Sequence, residues 1–361
     1  MSPVEPVTEV PAMYTGLMSD FDARKRTALA RVISIVENRR EAFETILAAL
    51  HPRLGHAHRI GITGPPGAGK STLSSALVKQ FRDRGETIAV IAVDPTSPFT
   101  GGALLGDRIR MNDIALDDGV FIRSMATRGS LGGLATTTRE VADVMDAFGF
   151  DRVIIETVGV GQSELDIAAA ADTTVVVVVP ESGDSIQAMK AGLMEAADLF
   201  VVNKADRPGA DRFARELDMM LHLRLGQALR NVPAHHGVDL KSRRAVREAA
   251  AQEGGWQIPV LKTVAHAGDG LPELVGALDR HRQWLGESGE LTERRKQRIR
   301  ERVREVVDRR LHTHVWREAG GGDILAGALD ALLEGRVSPY EVADRIVAAA
   351  LGYQQTGHEG F

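Results

Sequence analysis

The chain of 361 residues predicts an α/β fold: a doubly wound, mostly parallel sheet with a helical extension before it and a helical arm after it. Between residues 58 and 285, seven short apolar runs rich in β-branched residues alternate with helical patterns. The runs are apolar on both faces, as parallel strands are when helices cover both sides of their sheet. A loop of the form G-x-x-x-x-G-K-S between the first run and the first helix is typical of a phosphate-binding α/β domain.

The N-terminal part of the chain divides into a tail and two helices. Residues 1–19 hold three prolines and no hydrophobic period, so we expect a mobile tail. From Asp20 to Leu50, apolar residues recur at steps of three and four, which predicts two helices that separate near Asn38. We therefore assign residues 20–57 to an N-terminal helical extension.

The sheet domain is predicted to span residues 58–285. Its strands are assigned to the apolar runs Ile60–Thr63, Ile88–Val93, Val120–Ser124, Val153–Ile155, Thr173–Val179, Leu199–Val202 and Ile258–Thr263. Each run has the length of a strand and is too short for a helix of ordinary length.

Residues 286–361 are predicted to form a helical arm. Residues 291–310 contain nine Lys or Arg and four Asp or Glu. An apolar stripe crosses this segment at Ile299, Val303, Val306 and Val307, as in an amphipathic helix. Gly320–Gly322 predicts a break, and Ser338-Pro339 predicts a new helix with a serine cap and proline in its first turn. The apolar faces of these helices favour self-association.

Composition excludes several classes of function. The chain has no cysteine, which excludes disulfides, thiolate metal sites and cysteine nucleophiles. A net charge of −5 makes it a poor candidate for nucleic-acid binding. No apolar run approaches the ~18–20 residues that cross a bilayer. The first 20 residues carry no Lys or Arg and so lack the basic pattern of a targeting segment. We expect a cytoplasmic protein without a membrane or nucleic-acid partner.

A phosphate-binding loop follows the first strand. The motif and its flank are Gly64, Pro65, Pro66, Gly67, Ala68, Gly69, Lys70, Ser71 and Thr72. Glycines allow successive backbone N–H groups to curve around phosphates, and the start of the following helix favours an anion. Lys70 is expected to bridge the β- and γ-phosphates, and the Ser71 hydroxyl is expected to bind Mg²⁺.

A base-recognition motif, N-K-x-D, ends the sixth strand at Asn203, Lys204 and Asp206. A carboxylate can accept hydrogen bonds from both N1–H and the N2 amine of guanine, whereas adenine offers neither donor there. The sequence therefore favours GTP over ATP. Asn203 is expected to brace the loop or reach the base edge, with the stem of Lys204 along the base. After the last strand, a backbone N–H of Ala265 or His266 could complete the pocket.

Acidic residues at other strand ends are candidates for the magnesium side of the site. Glu156 ends the fourth strand, and the N–H of Gly159 just beyond it is placed to sense a γ-phosphate. Asp94 ends the second strand, and Asp107 lies in the loop that follows. The sequence shows no glutamine of the kind that orients water in fast GTPases, so we expect slow intrinsic turnover.

Together these motifs resemble the MeaB/ArgK family of P-loop GTPases, whose relatives include the human methylmalonic aciduria type A protein. The resemblance extends from about Phe21 to past Trp316. The matching stretches are Gly64–Thr72, Val93–Pro98, Glu156–Glu164, Pro180–Gly192 and Asn203–Asp206. Two of them, Glu156–Glu164 and Pro180–Gly192, are far more specific than the phosphate loop.

The resemblance implies a G-protein chaperone of adenosylcobalamin-dependent methylmalonyl-CoA mutase, which gates cofactor delivery and protects the mutase. It implies homodimers joined by C-terminal arms. It also implies that Asp184, Gln187 and Lys190 couple the mutase to the nucleotide site. Lys70 and Ser71 would bind phosphate and Mg²⁺, with Asp94, Asp107 and Glu156 on the metal side and Asn203, Lys204 and Asp206 at the base.

Two other classes of function remain open. A nickel-insertion GTPase of related architecture would need histidine ligands here. The close pairs are His56/His58, His235/His236 and His312/His314, and we expect all of them in polar surface or loop positions. A small-molecule kinase would need an acceptor site, but the sequence shows no acceptor-base motif of the protein-kinase kind.

Overall fold

The structure is a computed structural model that describes residues 10–94, 112–126, 133–157, 168–182, 191–227 and 255–352. The chain forms two compact units, Met1–Arg295 and Lys296–Phe361. The first unit contains a seven-stranded sheet. Its strands are β1 (His58–Thr63), β2 (Ile88–Asp94), β3 (Val120–Ala126), β4 (Arg152–Thr157), β5 (Thr173–Val178), β6 (Leu199–Asn203) and β7 (Val260–Thr263).

The strand order is β3-β2-β4-β1-β5-β6-β7, and every neighbouring pair is parallel. All seven predicted strands are present within two residues of their predicted limits. Every residue of β1, β4, β5 and β6 is buried, as expected for strands with helices on both faces. The predicted doubly wound α/β class is confirmed.

In the described residues of the first unit, nine α-helices lie wholly within that unit. They are α1 (Thr15–Asp22), α2 (Arg26–Glu37), α3 (Phe43–Leu50), α4 (Lys70–Asp83), α5 (Asn112–Ala115), α6 (Gly133–Phe148), α7 (Ala191–Ala196), α8 (Ala210–Gln227) and α9 (Leu271–Glu287). The predicted separation near Asn38 is confirmed, because α2 ends at Glu37 and α3 begins at Phe43.

Two apolar layers enclose the sheet. On one face, α1, α2, α3 and α6 pack over β2 and β4, with residues such as Leu29, Ile33 and Ile155 fully buried. On the other face, α4 and α9 pack their leucines over β1, and Leu77 and Leu274 are fully buried there. The N-terminal helices thus share a core with the sheet, and the predicted boundary between residues 57 and 58 does not divide the structure.

The N-terminal tail is shorter than predicted. A single 3₁₀ turn, Ala12–Tyr14, precedes α1, which begins at Thr15 inside the segment 1–19 assigned to a tail. One buried ring and three partly buried side chains attach it to the core. Phe21 is 1% exposed and meets Phe148 edge-on at a centroid distance of 5.0 Å, and Tyr14, Leu17 and Met18 pack against the same cluster. The three prolines of this segment, Pro3, Pro6 and Pro11, all precede the helix.

The division between the two units lies ten residues beyond the predicted start of the arm at residue 286, within α10 (Glu290–Thr313). The first turns of α10 belong to the first unit through two arginines. The Arg294 guanidinium donates to both oxygens of Asp198 at 2.9 and 3.0 Å. Arg295 donates to the carbonyl oxygen of Gly55 at 2.7 Å. These side chains were predicted only as part of a charged helix surface.

The second unit consists of the rest of α10, a π-helical turn (His314–Glu318), α11 (Gly321–Leu333) and α12 (Pro339–Leu351). Its small core is formed by Ala328, Val342 and Ile346. Ser338 caps α12 in a capping box, as the Ser338-Pro339 signal predicted. The predicted glycine break is confined to Gly320, because Gly321 already begins α11. No helix in the described ranges combines the length and apolarity needed to span a membrane.

A buried polar chain fixes the amino edge of the sheet, contrary to the expected surface position of His58. Nδ1 of His58 faces a guanidinium nitrogen of Arg152 at 3.4 Å, so Nδ1 accepts and Nε2 carries the proton. Nε2–H then donates to Thr173 Oγ1 at 2.7 Å. The Thr173 hydroxyl oxygen also lies within hydrogen-bond distance of Nδ1 of His281, at 2.8 Å. The His58 imidazole is thereby held neutral in one tautomer.

Burial lowers the pKa of His58 from its usual 6.5 to about 3, and the neighbouring Arg152 guanidinium also lowers it, while Asp172 opposes the shift. Between pH 6.5 and 3 the unfolded chain binds a proton at this residue that the folded chain does not. The contribution of His58 to stability is therefore complete above pH 6.5 and is lost as the pH falls toward 3.

We predict that titration of His58 alone lowers the free energy of unfolding by about 2 kcal/mol between pH 7 and pH 5. His58→Gln, which can still donate to Thr173 Oγ1 but does not titrate, should lack this part of the pH dependence. Urea unfolding of both proteins at the two pH values measures the difference. His51→Gln, at an exposed position, is the matched control for the loss of one imidazole. An unchanged dependence in His58→Gln would contradict the prediction.

Candidate functional site

Because all strands are parallel, their carboxyl ends meet at one edge of the sheet, where the predicted motifs come together. The phosphate loop follows the central strand β1, and Glu156 lies near the end of the adjacent β4. Asn203 ends β6 and Thr263 ends β7. Sites of open α/β sheets lie at this edge, where the order of strands reverses direction.

Two glycines of the phosphate loop are required by close approach. Gly64 has φ 137°, and a Cβ there would lie 2.0 Å from the carbonyl oxygen of Val177 in β5. Gly69 has φ 85°, and a Cβ there would lie 2.4 Å from the amide nitrogen of Asn203. The loop therefore touches the strand on one side and the base motif on the other, and only glycine permits both contacts.

Lys70 is the first residue of α4 and is buried at the helix start. Its ammonium donates to the carbonyl oxygens of Gly64 at 2.8 Å and Pro65 at 3.0 Å. The side chain thus folds back over the loop whose N–H groups are expected to bind phosphate. A cation here adds to the partial positive charge of the helix start, so the loop is suited to a polyanion.

Ser71 and Glu156 are in direct contact. The Ser71 hydroxyl donates to Oε1 of Glu156, whose side chain is 4% exposed. Hydroxyl and carboxylate oxygens are the hard ligands that Mg²⁺ prefers, and they lie beside the phosphate loop. The residues present therefore fit a Mg²⁺ ion shared with phosphate oxygens.

A second pair of side chains joins the two strands at this edge. The Thr157 hydroxyl of β4 donates to the Thr63 hydroxyl of β1 at 3.3 Å.

The buried Asn203 carboxamide connects three segments of the site. Its Nδ2 donates to the Ala68 carbonyl oxygen in the phosphate loop at 2.9 Å. Its Oδ1 accepts from the Thr263 hydroxyl at 3.1 Å and from the Ala265 N–H at 3.2 Å. Of the two roles considered from the sequence, bracing the loop is the one that these contacts perform.

The other two residues of the base motif differ in their surroundings. Lys204 has φ 55°, and its ammonium donates to the Gly67 carbonyl oxygen at 2.8 Å, so its stem spans from the base loop to the phosphate loop. Asp206 is exposed at the tip of the turn. The backbone N–H of Ala205 donates to the Thr263 carbonyl oxygen at 3.0 Å and fixes this turn to the end of β7.

The loop after β7 was predicted to offer an N–H from Ala265 or His266. The Ala265 N–H is engaged by Asn203. The His266 N–H makes no hydrogen bond with the residues that the structure describes. Of the two alternatives, His266 is therefore the better placed to donate to a ligand.

Several predicted site residues cannot be placed. Asp107, Gly159, Asp184, Gln187 and Lys190 lie outside the described residues, and so do His235 and His236. For Asp94 the structure describes only the backbone at the end of β2. In the described ranges no group of three or more His, Asp or Glu side chains is arranged to hold a metal ion.

The sequence interpretation missed two contributors to this edge. The Thr263 hydroxyl binds Asn203, although Thr263 was assigned only as the last residue of a strand. Arg207, directly after the base motif, donates to Glu181 at 2.5 Å. Neither has a motif of its own, and only their position next to a recognised motif could have drawn attention to them.

Comparisons with known proteins agree with this arrangement. The sequence profile of the family described as Methylmalonyl Co-A mutase-associated GTPase MeaB matches residues 29–320. A Pyrococcus abyssi protein named as a GTPase is 46% identical over 340 residues, which cover 94% of this chain and 98% of that protein. The mitochondrial methylmalonic aciduria type A homolog of Mus musculus is 30% identical over 354 residues, covering 94% of this chain and 79% of that protein.

A solved structure shares the fold over nearly the whole chain. The crystal structure of an LAO/AO transport system kinase matches with a TM-score of 0.65 and 27% sequence identity, and covers 93% of this chain and 97% of that one. Profile, whole-length relatives and fold agree with the phosphate loop and base motif that meet at the sheet edge. This chain belongs to the MeaB family of P-loop GTPases.

Proposed function

We propose that the protein is a GTP-binding and GTP-hydrolysing chaperone that gates delivery of adenosylcobalamin to methylmalonyl-CoA mutase, or a close relative of it, and protects that enzyme. The observation that carries the proposal is the match of residues 29–320 to a family described as mutase-associated GTPases. The output of such a protein is the state of another enzyme. A cytoplasmic location and slow intrinsic hydrolysis are part of the proposal.

At the phosphates, Lys70 exchanges its loop carbonyl partners for the β- and γ-phosphate oxygens, since an anion is the stronger partner for an ammonium. Ser71 and Glu156, with Asp94 and Asp107, would hold Mg²⁺, which neutralises charge on the phosphates when bound. The Gly159 N–H would contact the γ-phosphate. These residues place and stabilise the phosphates, which is most of what phosphoryl transfer to water requires.

At the base, the Asp206 carboxylate would accept hydrogen bonds from N1–H and the N2 amine of guanine. Its exposure at the turn leaves it accessible to the ligand. The Lys204 stem lies over the loop toward Gly67 and would cover one face of the base. Asn203 holds both loops at a fixed separation, and the His266 N–H would reach the base oxygen.

A homodimer joined through the second unit is also part of the proposal. Four apolar side chains of α10 stand at steps of four residues and are each about half exposed: Ile299 (51%), Val303 (57%), Val307 (47%) and Leu311 (56%). A stripe of this spacing suits packing against another helix. A second copy of the same helix would cover it.

Neither alternative function gains support. His58 is buried and bonded to Thr173, so the pair His56/His58 does not offer two free ligands for nickel. In the second unit, His314 contacts Glu318 and the Ala350 carbonyl oxygen. A kinase would transfer phosphate to an acceptor and release none to water, so a phosphate-release assay separates it from a GTPase.

We predict that phosphate release from GTP is slow and rises several-fold when an adenosylcobalamin-dependent mutase from the same organism is added, whereas ATP gives no release. Lys190→Ala should keep the basal rate and lose the rise, because the resemblance assigns Lys190 to partner coupling. A basal and a stimulated rate that fall together would contradict the role of Lys190. If no such mutase changes the rate of phosphate release, the protein is still a GTPase but the proposed mutase client is wrong.

We predict that Asp206→Asn weakens GDP binding by about 10²-fold or more and removes the preference for GDP over IDP, which lacks the N2 amine. Calorimetric titration of each variant with both nucleotides measures the preference. Lys70→Ala is the control, since it should weaken both nucleotides equally. If Asp206→Asn weakens GDP and IDP in the same ratio, the base assignment is wrong.

We predict that Asn203→Ala lowers the free energy of unfolding by about 2–4 kcal/mol, because it leaves the buried Thr263 hydroxyl and Ala265 N–H without their acceptor. Urea unfolding measures this loss. Asn38→Ala, at an exposed helix end, should cost less than about 1 kcal/mol. Equal effects of the two substitutions would show that the bridge contributes nothing special.

A further inference from the structure

An ion pair links the base loop to the strand next to the phosphate loop. Arg207 Nη1 donates to Oε1 of Glu181 at 2.5 Å. Glu181 lies in the 3₁₀ turn Pro180–Ser182, which follows β5 almost directly. Arg207 lies in the turn after β6. Since β5 pairs with both β1 and β6, the pair anchors the base loop to the middle of the sheet.

The anchored turn is the one that carries Asp206. The Arg207 N–H donates to the Lys204 carbonyl oxygen at 3.0 Å, which closes a tight turn over residues 204–207. The turn that carries Asp206 is thus bonded to β7 through the Ala205 N–H and to Glu181 through the side chain of Arg207. The Asp206 carboxylate itself is exposed, so its position depends on the backbone that carries it.

The charges at this corner favour the pair at neutral pH. The hydrogen bond from Arg207 lowers the pKa of Glu181, and the nearby Lys204 and Arg207 charges act in the same direction. Glu181 is therefore ionised wherever the protein is expected to work. Both side chains are about half exposed, so salt should weaken the pair.

We propose that Glu181 and Arg207 are positioning residues for guanine recognition: their ion pair fixes the turn that presents Asp206 and thereby slows release of GDP. The inference rests on the proposed role of Asp206 in binding guanine. It adds two residues outside the base motif to the determinants of nucleotide affinity.

The test compares GDP dissociation, followed with a fluorescent GDP, in Glu181→Gln, Arg207→Gln and the double variant. Each single variant should release GDP two- to fivefold faster, the range that an exposed ion pair can supply. The double variant should be no faster than the faster single variant, because both changes remove one interaction.

Arg212→Gln is the matched control. Arg212 forms an exposed pair with Glu216 at 2.7 Å on the adjacent helix α8, away from the turn 204–207. Its GDP release should remain at the wild-type rate. Higher salt should accelerate release from the wild-type protein toward the rate of the variants and change the variants less.

The ratio of GDP to IDP affinity distinguishes a loss of Asp206 orientation from a general loosening of the fold. If the pair orients Asp206, its loss should weaken GDP more than IDP, whereas a loosened fold would weaken both alike. Wild-type release rates in both single variants, additive effects in the double variant, or an equal effect of Arg212→Gln would overturn the proposal. If Asp206→Asn leaves the GDP preference intact, the guanine assignment fails and this inference fails with it. If only the Glu181 and Arg207 variants are silent, the guanine assignment stands.

Discussion

The buried carboxamide of Asn203 is the contact on which the geometry of the nucleotide edge depends. Asn203 is the last residue of β6. In the described site it is the only group that bonds both to the phosphate loop and to the end of β7 with the loop after it. The close approach at Gly69 follows from it, because that glycine faces the amide nitrogen directly. A single uncharged side chain thus sets the distance between the groups proposed for phosphate and for base.

The two edges of the sheet serve different purposes. At the carboxyl edge, the polar groups Ser71, Glu156 and Asp206 are those proposed to engage Mg²⁺ and the nucleotide. At the amino edge, His58, Thr173 and His281 are buried and bonded to one another. Polar groups at that edge hold strands and helices in register and lie at the opposite edge from the proposed nucleotide site.

The sequence predicted the strands and the motifs well for a physical reason. Strands buried on both faces leave continuous apolar runs, and phosphate and guanine binding require particular residue types at fixed spacing. Contacts between residues far apart in sequence left no such pattern. Burial of His58, the hydroxyl bond of Thr263 and the attachment of Arg294 to Asp198 each depend on partners more than 50 residues away. The helix at Thr15 was missed because its apolar residues Tyr14, Leu17, Met18 and Phe21 span only about two turns, which is too short a stretch to establish a period after three prolines.

The chain of polar contacts from Arg152 through His58 and Thr173 to His281 has an evolutionary consequence. A valine at position 173 would leave two imidazoles facing an apolar group. A change at one position is tolerated only when another restores the order of donors and acceptors. Positions 58, 173 and 281 should therefore vary together among related chains, although they lie on three separate elements.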